Sequence, residues 1–274
     1  MQGRVFIARV FIGGAALALA AAFAGPGLAQ GTPTAPIPRV DGYAEIEALP
    51  DWVGVWAPGG GVGGFRGPAP APKLEPAAQA QLDAFREKQR VEGVSQDAQI
   101  HCRPPGLPGI MRQPYPLEII FSPKRVTIFA ETYGQARRIY ADGRALPEDP
   151  EHYFNGTSVG RWEGDTLIVD TVGFSPWVEY IAGVTHGENM HIHEKFWLET
   201  PELMRVETTI TDPGVLTEPL VSQAAYRRER EWEIREYVCE ENNRLTAGEG
   251  GANIELDLEY DPDDPFGPPP GEPE

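Results

Sequence analysis

Three of the five histidines in this chain fall within eight positions, in the run Thr185-His-Gly-Glu-Asn-Met-His-Ile-His-Glu-Lys-Phe196. Imidazole exchanges protons near neutral pH and ligates transition metals, so the run raises two chemistries. Met190–Leu198 reads as a strand, in which side chains alternate between faces. Ile192, Glu194, Phe196 and Leu198 then share one face, and His191, His193, Lys195 and Trp197 the other. In an acid–base reading, His191 and His186 move a proton. Glu194, desolvated among apolar neighbours, orients the substrate or holds a proton of its own. These three are the candidate catalytic residues. The plainer alternative pairs Glu194 with a barrel arginine, Arg138, Arg205 or Arg227. In a metal reading, His191 and His193 stand about 6–7 Å apart at Cα on one face. Joined by His186, they could chelate a divalent ion.

Other side chains are candidates for holding a substrate. Arg138 and Tyr140 share a strand face, where an inward arginine could meet a carboxylate or phenolate. Asp170 falls in mid-strand, where a carboxylate is either paired or functional. Trp177 and Tyr180 lie in the long connection from Phe174 to Asn189, which is apolar enough to act as a lid. Pro58-Gly-Gly-Gly-Val-Gly-Gly lacks a following Gly-Lys-Ser/Thr, so it reads as a loop and not a phosphate cradle. No nucleotide motif is visible, and cofactor-free chemistry is expected, with a divalent metal as the alternative.

The elements that must position these groups are mostly strands. β-rich runs recur at Leu117–Phe121, Arg125–Glu131, Ala136–Tyr140, Thr157–Trp162, Thr166–Val172, Met190–Leu198, Met204–Thr211, Val221–Arg228 and Trp232–Val238. Ser122-Pro-Lys, Thr132-Tyr-Gly-Gln and Glu163-Gly-Asp suit hairpin turns. One helix is predicted over Glu75–Glu92, with Pro76 in its first turn and Gly93 past its end. A meander of about eight or nine strands removes its edges by closing on itself. The expected fold is therefore a single antiparallel, lipocalin-like up-and-down barrel with one N-terminal helix; a two-sheet sandwich is the alternative. Such a barrel is just wide enough for side chains or one small ligand.

The ends carry other signals. Two arginines, an apolar run from Val10 to Phe23 and small residues at Gly27 and Ala29 predict a signal peptide over 1–29. Secretion, most simply to a periplasm, follows as an expectation. Removing Arg4 and Arg9 leaves 21 basic against 41 acidic residues, a formal charge of −20. Such a surface repels phosphate backbones and anionic membranes, so neither nucleic acid nor membrane is an expected partner. Residues 30–74 read as an extended, flexible segment, 75–244 as the helix and barrel, and 245–274 as an acidic, proline-rich disordered tail. Cys102 and Cys239 are the only cysteines. In an oxidising compartment they are expected to form one disulfide. The expected partner is a small hydrophobic or aromatic molecule. The expected activity is His/Glu acid–base catalysis of the isomerase, hydratase or lyase kind. A non-catalytic carrier and a metal-dependent enzyme are the alternatives.

Several stretches together resemble a large family of secreted bacterial proteins. They are Asp51-Trp-Val-Gly-Val-Trp56, Cys102-Arg-Pro-Pro-Gly-Leu-Pro108, Arg138-Ile-Tyr-Ala-Asp-Gly-Arg144, Glu236-Tyr-Val-Cys-Glu-Glu-Asn242 and the run GRWEGDTLIVDTVGF ending at Phe174. The resemblance spans roughly residues 50–244. It implies a common architecture and a grouping of His186, His191 and Glu194, but no substrate. This chain departs from the family pattern at Thr185, at Gly187, where a serine is usual, and at His193, where an aliphatic is usual.

Overall fold

The structure, a computed structural model, describes residues 42–59, 71–93, 98, 101–239, 245–247 and 254–256. The expected signal peptide and most of the expected tail lie outside the described residues. No described helix is long and apolar enough to cross a membrane.

Nine strands close into one barrel. They are β1 (Gly54–Pro58), β2 (Leu117–Ser122), β3 (Arg125–Ala130), β4 (Gln135–Tyr140), β5 (Thr157–Glu163), β6 (Thr166–Val172), β7 (His191–Thr200), β8 (Leu203–Thr211) and β9 (Leu220–Arg228). Each strand neighbours the next in sequence, and β1 pairs with β9 to complete the ring. The three anticipated hairpins form, linking β2 to β3, β3 to β4 and β5 to β6. Between β3 and β4 the turn places Tyr133 and Gly134 both at positive φ, the twist a tight hairpin needs.

One seam departs from the purely antiparallel expectation. A ring with an odd number of strands cannot alternate direction throughout, so one neighbouring pair must run parallel. That pair is β4 and β5, joined only at Ile139↔Ser158 and Tyr140↔Val159. Parallel neighbours need a long return, and residues 141–156 supply it.

The ring also closes differently at its ends. Trp232–Val238, expected to be a strand, is irregular, and Gly54–Pro58 takes the closing place between β2 and β9. Its burial explains the choice. Trp56 is buried and, with Trp52, joins the core, whereas Trp232 is exposed. The barrel thus begins inside the segment expected to be flexible. Among the described residues two α-helices with defined bounds accompany it, where one was predicted: α1 (Gly42–Glu47) and α2 (Pro76–Glu92). Helix α2 buries Ala78 and Leu82 in the core. Near its middle Phe85 packs onto Gly183, where any Cβ would lie 2.2 Å from the ring. Strands β10 (Leu245–Ala247) and β11 (Ile254–Leu256) pair antiparallel within the acidic tail.

The inside of the barrel is filled. Ile128, Ile139, Val169, Ile192, Phe196 and Ile210 meet there as inward faces of five strands. A 3-10 turn over Gly109–Arg112 buries Ile110 and Met111 against them, and Leu107 just before it is wholly buried. The Tyr226 hydroxyl donates to the Met111 carbonyl and holds this plug to β9. Cys102 and Cys239 form the expected disulfide, with Cα atoms 5.8 Å apart. It joins the approach to the plug to the segment after β9.

Candidate functional site

Strand β7 carries its polar groups to two separate places. Glu194 points inward and is 1% exposed. Its partner is Arg137 on β4, whose two guanidinium nitrogens grip the carboxylate in a fork, Nη1 to Oε1 at 3.1 Å and Nη2 to Oε2. Arg137 also donates to Ser158 and Thr171, at 3.4 and 3.3 Å. The two hydroxyls lie 2.8 Å apart. Both charges are thus paired and hydrogen-bonded, which is the condition for burying them. The sequence named Arg138, Arg205 and Arg227 as partners. Instead, Arg138 is exposed, Arg205 pairs with Glu199 and Arg227 with Glu229. The missed signal was Ile139: an apolar residue shares its face with position 137, so Arg137 must accompany it inward.

On the outer face of β7, His191 and His193 gather around Asp170, which stands directly across from His193 on β6. His193 Nδ1 lies 2.8 Å and His191 Nε2 3.0 Å from the same oxygen, Asp170 Oδ1. The second oxygen, Oδ2, faces Arg161 Nη1 at 3.4 Å. All three side chains of this cluster are a quarter to a third exposed. Alternation along β7 therefore separates His191 from Glu194 by the thickness of the barrel wall. The grouping of His186, His191 and Glu194 as one catalytic set is corrected accordingly.

His186 belongs to neither cluster. Its Nδ1 faces the Gly187 carbonyl and its Nε2 the Ser175 carbonyl, both at 2.9 Å. Both ring nitrogens are thus occupied by backbone carbonyls, and the ring ties the start of the β6–β7 connection to its end. Among the described residues no three His, Cys, Asp or Glu side chains form a preformed cage for an ion. The set His186, His191 and His193 is thus not gathered.

The long connection between β6 and β7 closes the barrel end. Val178, Tyr180, Ile181 and Val184 are buried in it. The Tyr180 hydroxyl donates to Asp212 at 2.9 Å, and the Gly187 amide donates to the same carboxylate. Burial, then the Asp212 charge, pushes the Tyr180 phenol far above its ordinary value. Trp177 is exposed, with the Arg103 guanidinium stacked 4.2 Å over its ring. Of these two expected substrate-binding residues, Tyr180 is a structural tie and Trp177 faces solvent.

Within the barrel, the void beside Glu194, Arg112, Thr208 and Ser222 measures about 10 Å³. That is room for one water at most, whereas small-molecule sites need about 300–1,000 Å³. Burial there depresses the basicity of Arg112 and, with the Glu194 charge, raises the phenol of Tyr226. Among the described residues, this void inside the barrel is too small for the expected ligand.

A groove of suitable size lies outside. Where β4 and β5 splay from their short parallel seam, an open cleft of about 590 Å³ is lined by Gln135, Arg138, Tyr140, Tyr153, Asn155 and Thr157. Arg138 is exposed there and, among the described residues, has no ion-pair partner. Arg144 stacks 4.0 Å over the Tyr140 ring and pairs with Asp142. Arg138 and Tyr140, expected together from the sequence, do share this surface; Tyr153 and Asn155 come from the return loop, whose path alternation cannot trace.

No protein-family model matches the chain, and no curated protein matches it either. The function proposed below stands on geometry.

Proposed function

We propose that this protein is a secreted, periplasmic binding protein that holds a small anionic aromatic molecule in the groove between β4 and β5. The observation that carries this reading is the contrast in free space: about 590 Å³ at the groove against about 10 Å³ within the barrel. The groove falls within the usual range for ligand sites, about 300–1,000 Å³. The exposed guanidinium of Arg138, which has no ion-pair partner among the described residues, suits a carboxylate or phenolate. Tyr140 and Tyr153 offer ring faces to an aromatic body, and Asn155 offers an amide for a further hydrogen bond. Against a chain of net charge −18, this local cation is a point of preference for an anion.

Binding stands ahead of the isomerase, hydratase or lyase reading, because that chemistry needs His186, His191 and Glu194 to converge on one substrate. The test is a titration of the protein with a panel of benzoates, cinnamates and phenolates, followed by calorimetry and thermal shift. Replacing Arg138 by Ala removes one charged hydrogen bond of about 1.5–3 kcal/mol, so affinity falls about ten- to a hundredfold. Tyr153→Ala weakens it further. A ligand that binds equally well to Arg138→Ala, or a panel with no ligand at all, would end the proposal.

A further inference from the structure

The short seam between β4 and β5 leaves backbone groups open at the groove. Ala141 donates its N–H to the Lys124 carbonyl at 2.8 Å, across to the β3 side. Alternation along β4 then turns the amides of Gln135, Arg137 and Ile139 towards β3, and those of Ala136 and Arg138 towards β5. The ladder to β5 begins only at Ile139. Among the described residues, no backbone bond joins Ala136 or the Arg138 N–H to the return loop. We propose that a short peptide with a free C-terminal carboxylate pairs with this open edge of β4. The proposal rests on the reading that the groove takes an anionic aromatic molecule, and it names the class of that molecule.

Both walls of the groove suit an added strand, whose main-chain bonds supply affinity and whose alternate side chains supply specificity. The loop wall turns its own backbone elsewhere: the Tyr153 amide donates to Gly173, and the Phe154 carbonyl accepts from Leu107. What it offers is the side chain of Asn155, whose Nδ2 donates to Gln135 Oε1 at 3.3 Å across the groove. Asn155 Oδ1 is buried with no hydrogen-bond partner, an unmet acceptor in the groove wall. Charge sets the direction. The Arg138 guanidinium takes the terminal carboxylate, so the peptide runs parallel to β4 and ends at Arg138. It fills the positions that an earlier start of β5 would fill.

Register follows from the parallel ladder, in which one residue bonds the two that flank its opposite number. The last amide of the peptide donates to the Ala136 carbonyl, and the carbonyl two residues before the end accepts the Ala136 N–H. The penultimate residue lies level with Ala136 and faces outward, on the side where Tyr140 and Tyr153 line the groove. It is the place for an aromatic ring. The last residue lies level with Arg137, which is 2% exposed and turned inward, so glycine suits it.

Calorimetry on the protein compares acetyl-Ala-Phe-Gly with 3-phenylpropionate, which has the ring and the carboxylate but no backbone to pair. Two added backbone hydrogen bonds should make the peptide bind about tenfold more tightly. Methylating its last amide nitrogen, or amidating its carboxylate, removes that advantage. Ala136→Pro removes it too, by deleting the seam-side N–H while keeping the bonds to β3, and circular dichroism checks that this variant folds. Hydrogen exchange read by NMR shows the Ala136 and Arg138 amides slowed in the complex, with those of Gln135 and Arg137 unchanged. Equal affinity of the methylated and unmethylated peptides, or no slowing at Ala136, overturns the proposal. Arg138-dependent binding of 3-phenylpropionate would then still uphold the groove as a site for anions. If neither ligand binds, both readings fall.

Discussion

Glu194 and Arg137 act as a single unit. Their side chains are 1% and 2% exposed, and each satisfies a charge that the barrel core could not otherwise hold. Glu194→Gln is expected to cost about 3–5 kcal/mol, because a guanidinium is then buried without its counter-charge. Replacing the pair by Leu and Met costs far less, since neither charge remains. Urea unfolding of both variants checks this, and a single substitution as mild as the double would refute it. The same residues show how far local pattern reaches. Alternation along β7 put Glu194 and His191 on opposite faces before any coordinates. It could not say which arginine would cross the barrel, because that choice depends on the register of β4 against β5, β6 and β7.

At the scale of elements, the parallel seam is the place where the wall is thinnest in hydrogen bonds. β4 meets β5 at two positions, whereas β5 meets β6 at seven. Local opening follows the density of protected backbone bonds. Seam-side amides of Gln135–Arg138 should therefore exchange with solvent faster than those of Leu167–Thr171, as hydrogen exchange read by NMR would show. Comparable protection in both strands would mean that the seam is closed in solution and the groove shallower than described. Eight of the nine barrel strands and helix α2 were legible to within a few residues, because their apolar periods and turn residues are local. β1 was not: Gly54–Pro58 is short, ends in proline and precedes a glycine-rich stretch, all marks of a loop. Only its burial against β2 and β9 makes it a strand.

For the molecule as a whole, two buried phenols set an alkaline limit. Burial, with Asp212 beside Tyr180 and Glu194 near Tyr226, raises both above their ordinary value. In the unfolded chain they ionise near about pH 10. A raised folded-state value means that the unfolded state loses its protons first. The stabilisation is complete below about pH 10 and is lost as pH climbs beyond it. The unfolding midpoint should thus fall above about pH 10, and the Tyr180→Phe/Tyr226→Phe double variant should flatten that slope relative to wild type. An unchanged slope would show that other groups control alkaline unfolding.

Charge, the single cysteine pair, the helix and the two-residue period of the strands were properties of the chain read in order. Each depends on neighbours a few positions away, or on counting. Three things belonged to the closed barrel alone: which face turned inward, which pair ran parallel and whether the interior kept any room. Closure couples residues far apart in sequence: Trp56 to Arg228, Arg137 to Glu194 and Met111 to Tyr226. Side-chain volume then decides what space is left. In this protein it filled the inside and left the open surfaces, with their arginine and histidines, on the outside.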